Sequence, residues 1–294
     1  MTWVLTLLGA AFIALALRDI YATLWHPTGL GTLSRSMFRI IWAIAARVGP
    51  RGRALGSAGP LGMIATVLLW AASIVAGWAL IYLPHMPDGF YFSSALQPQS
   101  SSDPVAALYL SLVTVATLGY GDITPAYPAL RLLIPLQALI GFVLFTAAIS
   151  WILQIYPALI RRRAAARSVY LLATTDSAEV ARHGEASIAC ALLDGVTDTL
   201  ITAEFDVRQY GETYFFRESD PDRSLAAMLA NVPSLVLAGE ASAAMEVRRA
   251  SARSKRQLSS LTDHLDARYL HTGGTLEQIC HAYAADHGHR NAQQ

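Results

Sequence analysis

Apolar residues run almost unbroken through most of the first 160 positions, and then the pattern changes. Residues 3–25 (WVLTLLGAAFIALALRDIYATLW), 61–83 (LGMIATVLLWAASIVAGWALIYL) and 129–160 (ALRLLIPLQALIGFVLFTAAISWILQIYPALI) are each long enough to cross a bilayer, which takes about 20 apolar residues. A shorter run, 104–117 (PVAALYLSLVTVAT), cannot span and suits a helix that enters the membrane and turns back. Asp103 is a natural N-cap for it and Pro104 a natural first helical residue. Residues 33–48 place Arg35, Arg39 and Arg47 at spacings of four and eight, a cationic stripe on an otherwise apolar helix. Such a helix suits the inner headgroup layer, with the three arginines on anionic lipid. It equally suits a plain connecting helix whose arginines only set topology. Beyond residue 161 the sequence is that of a polar domain. Helical periodicity runs over 176–200, 222–238 and 240–270, with breaks at RHGEAS, ESDPDRS and HTGGT.

Composition agrees with that division. Of 294 residues 54% are hydrophobic and 15% charged, against about 25% charged in soluble proteins. Orientation follows from the arginines. Residues 26–60 hold Arg35, Arg39, Arg47, Arg51 and Arg53 and no acid, whereas 84–103 hold Asp88 and Asp103 and no cation. Arg161, Arg162, Arg163 and Arg167 follow the last span. The expected arrangement is a multi-pass protein of the cell membrane with its N-terminus outside and its C-terminal half cytoplasmic. A cleaved signal peptide is disfavoured, because the first charges, Arg18 and Asp19, follow the apolar run instead of preceding it. Those two fall near the cytoplasmic end, where Arg can snorkel; an intramembrane ion pair is the alternative. The predicted map is a first span at 1–25, a basic linker at 26–60, a membrane module at 61–160 and a cytoplasmic, mostly helical domain at 161–294. Within the module come a helix at 61–83, an external loop at 84–103, a short helix at 104–117 and a long helix at 129–160. The fold class is all-α membrane protein, with three transmembrane helices and one re-entrant helix.

The chemistry lies in TVATLGYGD, residues 114–122. Non-helical backbone at membrane depth must be enclosed by protein or line a watery path. The short helix starts outside, so the partial negative charge of its C-terminal end points toward the membrane centre and favours a cation. Gly119 and Gly121 permit backbone angles that L-residues avoid, so successive carbonyls can turn toward one axis. Thr117 adds a hydroxyl oxygen below them. One chain supplies a strip of oxygens; several symmetry-related strips make rings that can replace an ion's hydration shell.

With those residues in view, 61–160 resembles the outer helix, pore helix, selectivity filter and inner helix of the potassium channel superfamily. The match is carried by Thr114, Thr117, Gly119, Tyr120, Gly121 and Asp122, with Leu118 where the family usually has Val or Ile. The resemblance implies K⁺ as permeant ion, held by Thr117, Leu118, Gly119, Tyr120 and Gly121 through filter 117–122. It implies a homotetramer, since one filter strip occurs per chain. It implies filter support from Tyr109, Thr114 and Asp122, with a Tyr109–Asp122 brace, and a gating hinge at Gly141. Val113 stands where some members carry a buried Glu, so that second brace is missing. The inner helix has no Asp or Glu, so strong block by cytoplasmic Mg²⁺ or polyamines is not expected. Thr146, Ser150 and Gln154 share one face, lining the lower pore or bonding across helices. No Arg-rich span of the voltage-sensor type occurs.

The polar half lacks the G-x-G-x-x-G fingerprint of the nucleotide-binding regulator common in the family, and it names no ligand. GETYFF, 211–216, reads as core packing, with a ligand or interface patch as the alternative. His271, His281, His287 and His289 near Cys280 fit no metal spacing, and the tail reads as disordered. Cys190 and Cys280 read as free thiols. No catalytic constellation and no strongly basic nucleic-acid-binding stretch appear, so neither an enzyme nor a nucleic-acid partner is expected, and no cofactor. Two other readings remain: a membrane-anchored sensor with a non-conducting pore-like fold, and a non-selective cation channel.

Overall fold

The computed structural model describes residues 2–25, 30–48, 55–93 and 103–289. Arg51, Arg53 and the loop residues 94–102 lie outside these. The fold is all-α with one small strand pair. Contacts divide it into two compact units. One holds α1 (Thr2–Leu24), the start of α2 (Thr32–Val48) and the chain from Met63 to Leu153; the other holds the rest of α2, the start of α3 (Leu55–Tyr82) and the chain from Gln154 onward.

In the first unit α1 and α3 meet at paired glycines. A Cβ on Gly9 would sit 2.3 Å from the Gly77 carbonyl oxygen, and one on Gly77 would sit 2.7 Å from that of Gly9. Two apolar helices gain little by hydrophobic burial in lipid, so close backbone approach through small residues is what holds them. The pair Arg18 and Asp19 separates in role. Arg18 is exposed, while Asp19 is buried and accepts from the backbone N–H of Leu33 (2.8 Å) and Ser34 (3.1 Å), the Ser34 hydroxyl (2.5 Å) and Trp70 Nε1 (2.9 Å). The carboxylate thus caps α2 from a different helix, supplying negative charge to free N–H groups at its positive end. Gly31 permits the approach, since a Cβ there would lie 2.2 Å from Asp19 Oδ1. Trp70 in turn lies against Trp151 of α5 (Pro128–Ala173), ring centroids 5.3 Å apart. Asp19→Ala leaves four donors without their acceptor and is expected to destabilise the chain by about 3 kcal/mol or more. Asn, whose amide offers one oxygen but a donor in place of the other, should recover less than half. Thermal unfolding of the detergent-purified protein checks both.

The second unit is a helical domain. Residues 193, 196, 200, 203 and 207 of α7 (Ala186–Gln209) recur at three and four and are buried; 247, 250, 254, 258, 261 and 265 of α10 (Met245–Leu265) do the same. The two stripes pack together. Small hydroxyl residues of α10 tie it to both neighbours, Ser254 donating to the Leu193 carbonyl in this seam (3.0 Å) and Ser251 to the Val236 carbonyl of the helix Val232–Glu240 (2.6 Å). Around them lie α6 (Ser177–His183), α8 (Leu225–Met228), α9 (Val232–Glu240) and α11 (Leu276–Asp286). Four described helices, α1, α3, α5 and α7, are long and apolar enough to cross a membrane. α7 is the one whose partner is a charged helix, with Arg253 on Asp194 (2.6 Å) and Gln257 and Ser260 on Glu204. It is the core helix of this domain.

Two expectations need correction. The long helix does not stop near residue 160 but runs to Ala173, and its arginines are bound into the domain. Arg161 forks onto Asp206, Arg163 pairs with Glu218 (2.6 Å), Arg167 pairs with Asp222, and buried Arg162 donates to the carbonyls of Thr213 and Phe216. The second half of α2 also packs on this domain through its apolar side. Phe38 and Trp42 are buried against Phe215, Tyr214 and His287, and Arg39 donates to the Arg268 carbonyl, while Ile40 and Ile44 stay exposed. Arg35 donates to the Leu30 carbonyl, and Arg47 is exposed. Finally, the tail is ordered through His289. A capping box of Thr275 and Gln278 starts α11, and His287 is buried between the carbonyls of Tyr283 and Tyr214. Burial pushes His287 down to about 4 and the Cys280 thiol up to about 12, so the imidazole is neutral and the thiol unreactive. Among the described residues no three of His, Cys, Asp and Glu converge as a metal site. GETYFF forms a buried turn, with Tyr214 stacked on Tyr269 at 3.9 Å.

Candidate functional site

The short helix α4 spans Asp103–Val115, and the way it ends sets the backbone beyond it. Thr117 N–H donates to the Thr114 carbonyl (3.0 Å) and Leu118 N–H to that of Val113 (2.8 Å). These are the two bonds of a Schellman ending, with Thr117 as the left-handed residue at φ 57°. That position usually takes Gly. A β-branched residue there is strained by about 1–2 kcal/mol, so the backbone alone does not explain a threonine. Its hydroxyl oxygen, beside the strip of carbonyls that starts here, does.

Past Thr117 the sign of φ alternates. It is positive at Thr117, at Gly119 (54°) and at Gly121 (74°), and negative at Leu118 and Tyr120. In an extended strand successive carbonyls point to opposite sides. Alternating handedness turns every second peptide over, which allows successive carbonyls of 117–121 to share one side. A Cβ on Gly119 or Gly121 would meet nothing within 4 Å; glycine is needed there for the backbone angle and not for space. Leu118 and Tyr120 are 56% and 66% exposed, so this chain does not cover its own strip.

The strip is held from behind and at its far end. Tyr109 Oη donates to Asp122 Oδ2 at 2.5 Å, and Asp122 Oδ1 accepts from Ile123 N–H at 3.0 Å. The Asp122 carbonyl accepts from Ser93 N–H (2.8 Å), and β1 (Phe90–Phe92) pairs antiparallel with β2 (Ile123–Pro125), Tyr91 opposite Thr124. Thr114 is buried but returns its hydroxyl to the Leu110 carbonyl of its own helix (2.7 Å), and Thr146 does the same to Phe142. Gly141 lies on α5 where a Cβ would come 2.4 Å from the Val115 carbonyl oxygen, so α5 crosses the end of α4 in backbone contact.

One group was not foreseen. Gln137 is fully buried on α5, its carbonyl accepting from Tyr82 Oη (2.6 Å) and its amide donating to Ser111 Oγ (2.8 Å) and the Ser111 carbonyl (3.0 Å). Ser111 Oγ then donates to the Val75 carbonyl (2.8 Å). Every donor in this chain of bonds has its acceptor, and it ties α3, α4 and α5 together behind the strip. The signal was an amide within a run of 32 residues lacking any acid; at membrane depth such a group needs partners.

Known proteins resemble this part of the chain. Residues 65–156 match the ion channel family model. The chain is similar to an uncharacterized membrane protein, YdjJ, of Bacillus subtilis (strain 168), 27% identical over 154 residues, 52% of this chain and 44% of that one. It is also similar to the two pore potassium channel c of Oryza sativa subsp. japonica, 39% identical over 93 residues, 28% of this chain and 20% of the relative. The chain thus spans less than half the length of these curated relatives. No solved structure matches. The family match falls on the segment that holds α4, the alternating strip and the helices packed on it, so it is this segment that is similar to known ion channels.

Proposed function

We propose that the chain is one subunit of a homotetrameric, K⁺-selective pore in the cell membrane. The observation that carries this is the alternation of backbone handedness over 117–121, which allows one side of the strip to carry a column of carbonyl oxygens. Four such columns around an axis replace the hydration shell of a dehydrated cation at successive levels. The carbonyls of Thr117, Leu118, Gly119 and Tyr120, with the Thr117 hydroxyl, are the K⁺ ligands, and Asp122 faces the external side. Exposed apolar residues on α4 and α5, among them Leu112, Leu136, Phe142 and Phe145, suit burial against neighbouring subunits. The N-terminus lies outside and residues 161–294 lie in the cytoplasm. Single-channel recording with K⁺ on one side and Na⁺ on the other tests the reading. A reversal potential near that of K⁺ supports it; equal permeability leaves a non-selective cation channel, and no current from an intact tetramer leaves a membrane-anchored sensor.

Gating is proposed to reach the pore through α5. The arginines at 161, 162, 163 and 167 bind its C-terminal half to the helical domain by charge-assisted bonds, the strong class of protein hydrogen bond. Movement within that domain is therefore carried by the helix itself, with bending near Gly141. Gln137 sets how well the pore helix is held. Gln137→Leu strands Ser111 and Tyr82 and is expected to shorten open times about tenfold or more. Raising external K⁺ should restore them, because an ion bound to the intact strip stabilises it by mass action. Open times that match wild type at low K⁺ would exclude the role.

A further inference from the structure

The helical domain carries a cleft of about 480 Å³ lined by Thr197 of α7 and by Arg249, Ala252, Arg253, Arg256 and Gln257 of α10. Every polar side chain in that lining can donate a hydrogen bond, and none is a carboxylate. Arg253 is bonded to Asp194 at 2.6 Å and Gln257 to Glu204 at 2.5 Å. Arg249 and Arg256, by contrast, have no partner among the described residues. The arginines of α5 in this domain all find carboxylates or carbonyls, whereas Arg249 and Arg256 face one cleft together without an acceptor among the described residues.

Their spacing adds to the argument. Arg249 and Arg253 are four apart and Arg253 and Arg256 three apart, so all three share one helix face. Like charges at those spacings repel by a few tenths of a kcal/mol per pair, and Asp194 offsets only the central one. The outer two lie about 10 Å apart along the helix axis. That separation lets each guanidinium fork onto a different phosphate group. It suits an anion with two or more phosphate groups, the ligand for which planar guanidinium forks are the preferred partner. The volume is that of a small-molecule site.

We propose that this cleft binds a small anion carrying at least two phosphate groups, with Arg249 and Arg256 as its principal ligands. A phosphorylated lipid headgroup offers the same chemistry, and the test separates the two. The full chain, purified in detergent, is titrated calorimetrically with inorganic pyrophosphate and, separately, with short-chain phosphatidylinositol 4-phosphate, whose headgroup also carries two phosphates. Wild type is expected to bind pyrophosphate at one site per chain. The Arg249→Gln/Arg256→Gln pair should bind at least tenfold more weakly while keeping its circular dichroism and tetramer, since neither side chain supports the fold. Tighter binding of pyrophosphate than of phosphatidylinositol 4-phosphate marks a soluble ligand; the reverse order marks a headgroup. Binding by neither probe overturns the proposal, as does equal binding by the variant. Loss of the tetramer in the variant also overturns it, because the arginines would then serve subunit contacts. The titration reads binding alone, so its result stands whether or not the pore selects K⁺.

Discussion

Gly119→Ala abolishes K⁺-selective flux in proteoliposomes while the tetramer still assembles: this is the expected result if the strip works through backbone angle. Gly119 holds φ at 54°, and a Cβ there would touch nothing within 4 Å. Alanine therefore meets no crowding within the chain, only the left-handed penalty of about 1–2 kcal/mol. Relief comes by moving φ to negative values, which turns the Leu118 carbonyl off the axis. In the proposed tetramer the penalty recurs in every subunit, so the ring at that level opens as a whole. Gly195 on α7 supplies the control. It too has open space at its Cβ, but no positive φ. Gly195→Ala should be neutral or stabilising by up to about 1 kcal/mol, with flux unchanged. Wild-type selectivity in Gly119→Ala would mean that the carbonyl column is not the selecting element.

What could be read from the residues was what local pattern determines. Apolar runs gave the spans because their period and length are properties of the segment itself. The unusual backbone of 117–121 was legible because two glycines flanking a tyrosine, after a capped helix, demand unusual angles over a few neighbouring residues. The capping box at Thr275 and Gln278 was equally local and could have revealed α11. Charges were a different matter. Asp19 looks the same in sequence whether it pairs with Arg18 or caps a helix that begins 13 residues later, and only packing against Trp70 and Ser34 decides. Arg161, Arg162, Arg163 and Arg167 satisfy the rule for cytoplasmic loops, yet their carboxylates and carbonyls lie 45 to 55 residues away. Phe38 and Trp42 form an apolar stripe that suits lipid or a protein core alike. Gln137 falls in the same class, since its meaning depends on Ser111 and Tyr82 in two other helices.

Gly141→Ala has the second large expected effect, and it separates two uses of one glycine. As a hinge, Gly141 matters because it bends; alanine, the better helix former by about 1 kcal/mol, then lowers open probability and leaves selectivity and assembly alone. As a contact, it matters because α5 passes the Val115 carbonyl so closely that a Cβ would sit 2.4 Å away. That neighbour is backbone, and it belongs to the residue that ends α4, two before Thr117. It cannot turn aside as a side chain would, so α5 must move out by several tenths of an ångström. Overpacking of this kind costs about 1–3 kcal/mol per site, repeated in every subunit of the proposed tetramer. The pore helix would shift with its carbonyl, and the strip it anchors would shift too. The expected outcome is therefore a tetramer that dissociates at lower temperature on detergent gels and conducts with weakened K⁺-over-Na⁺ preference in the openings that remain. Full thermal stability and unaltered selectivity, with only open probability reduced, would assign Gly141 to bending alone.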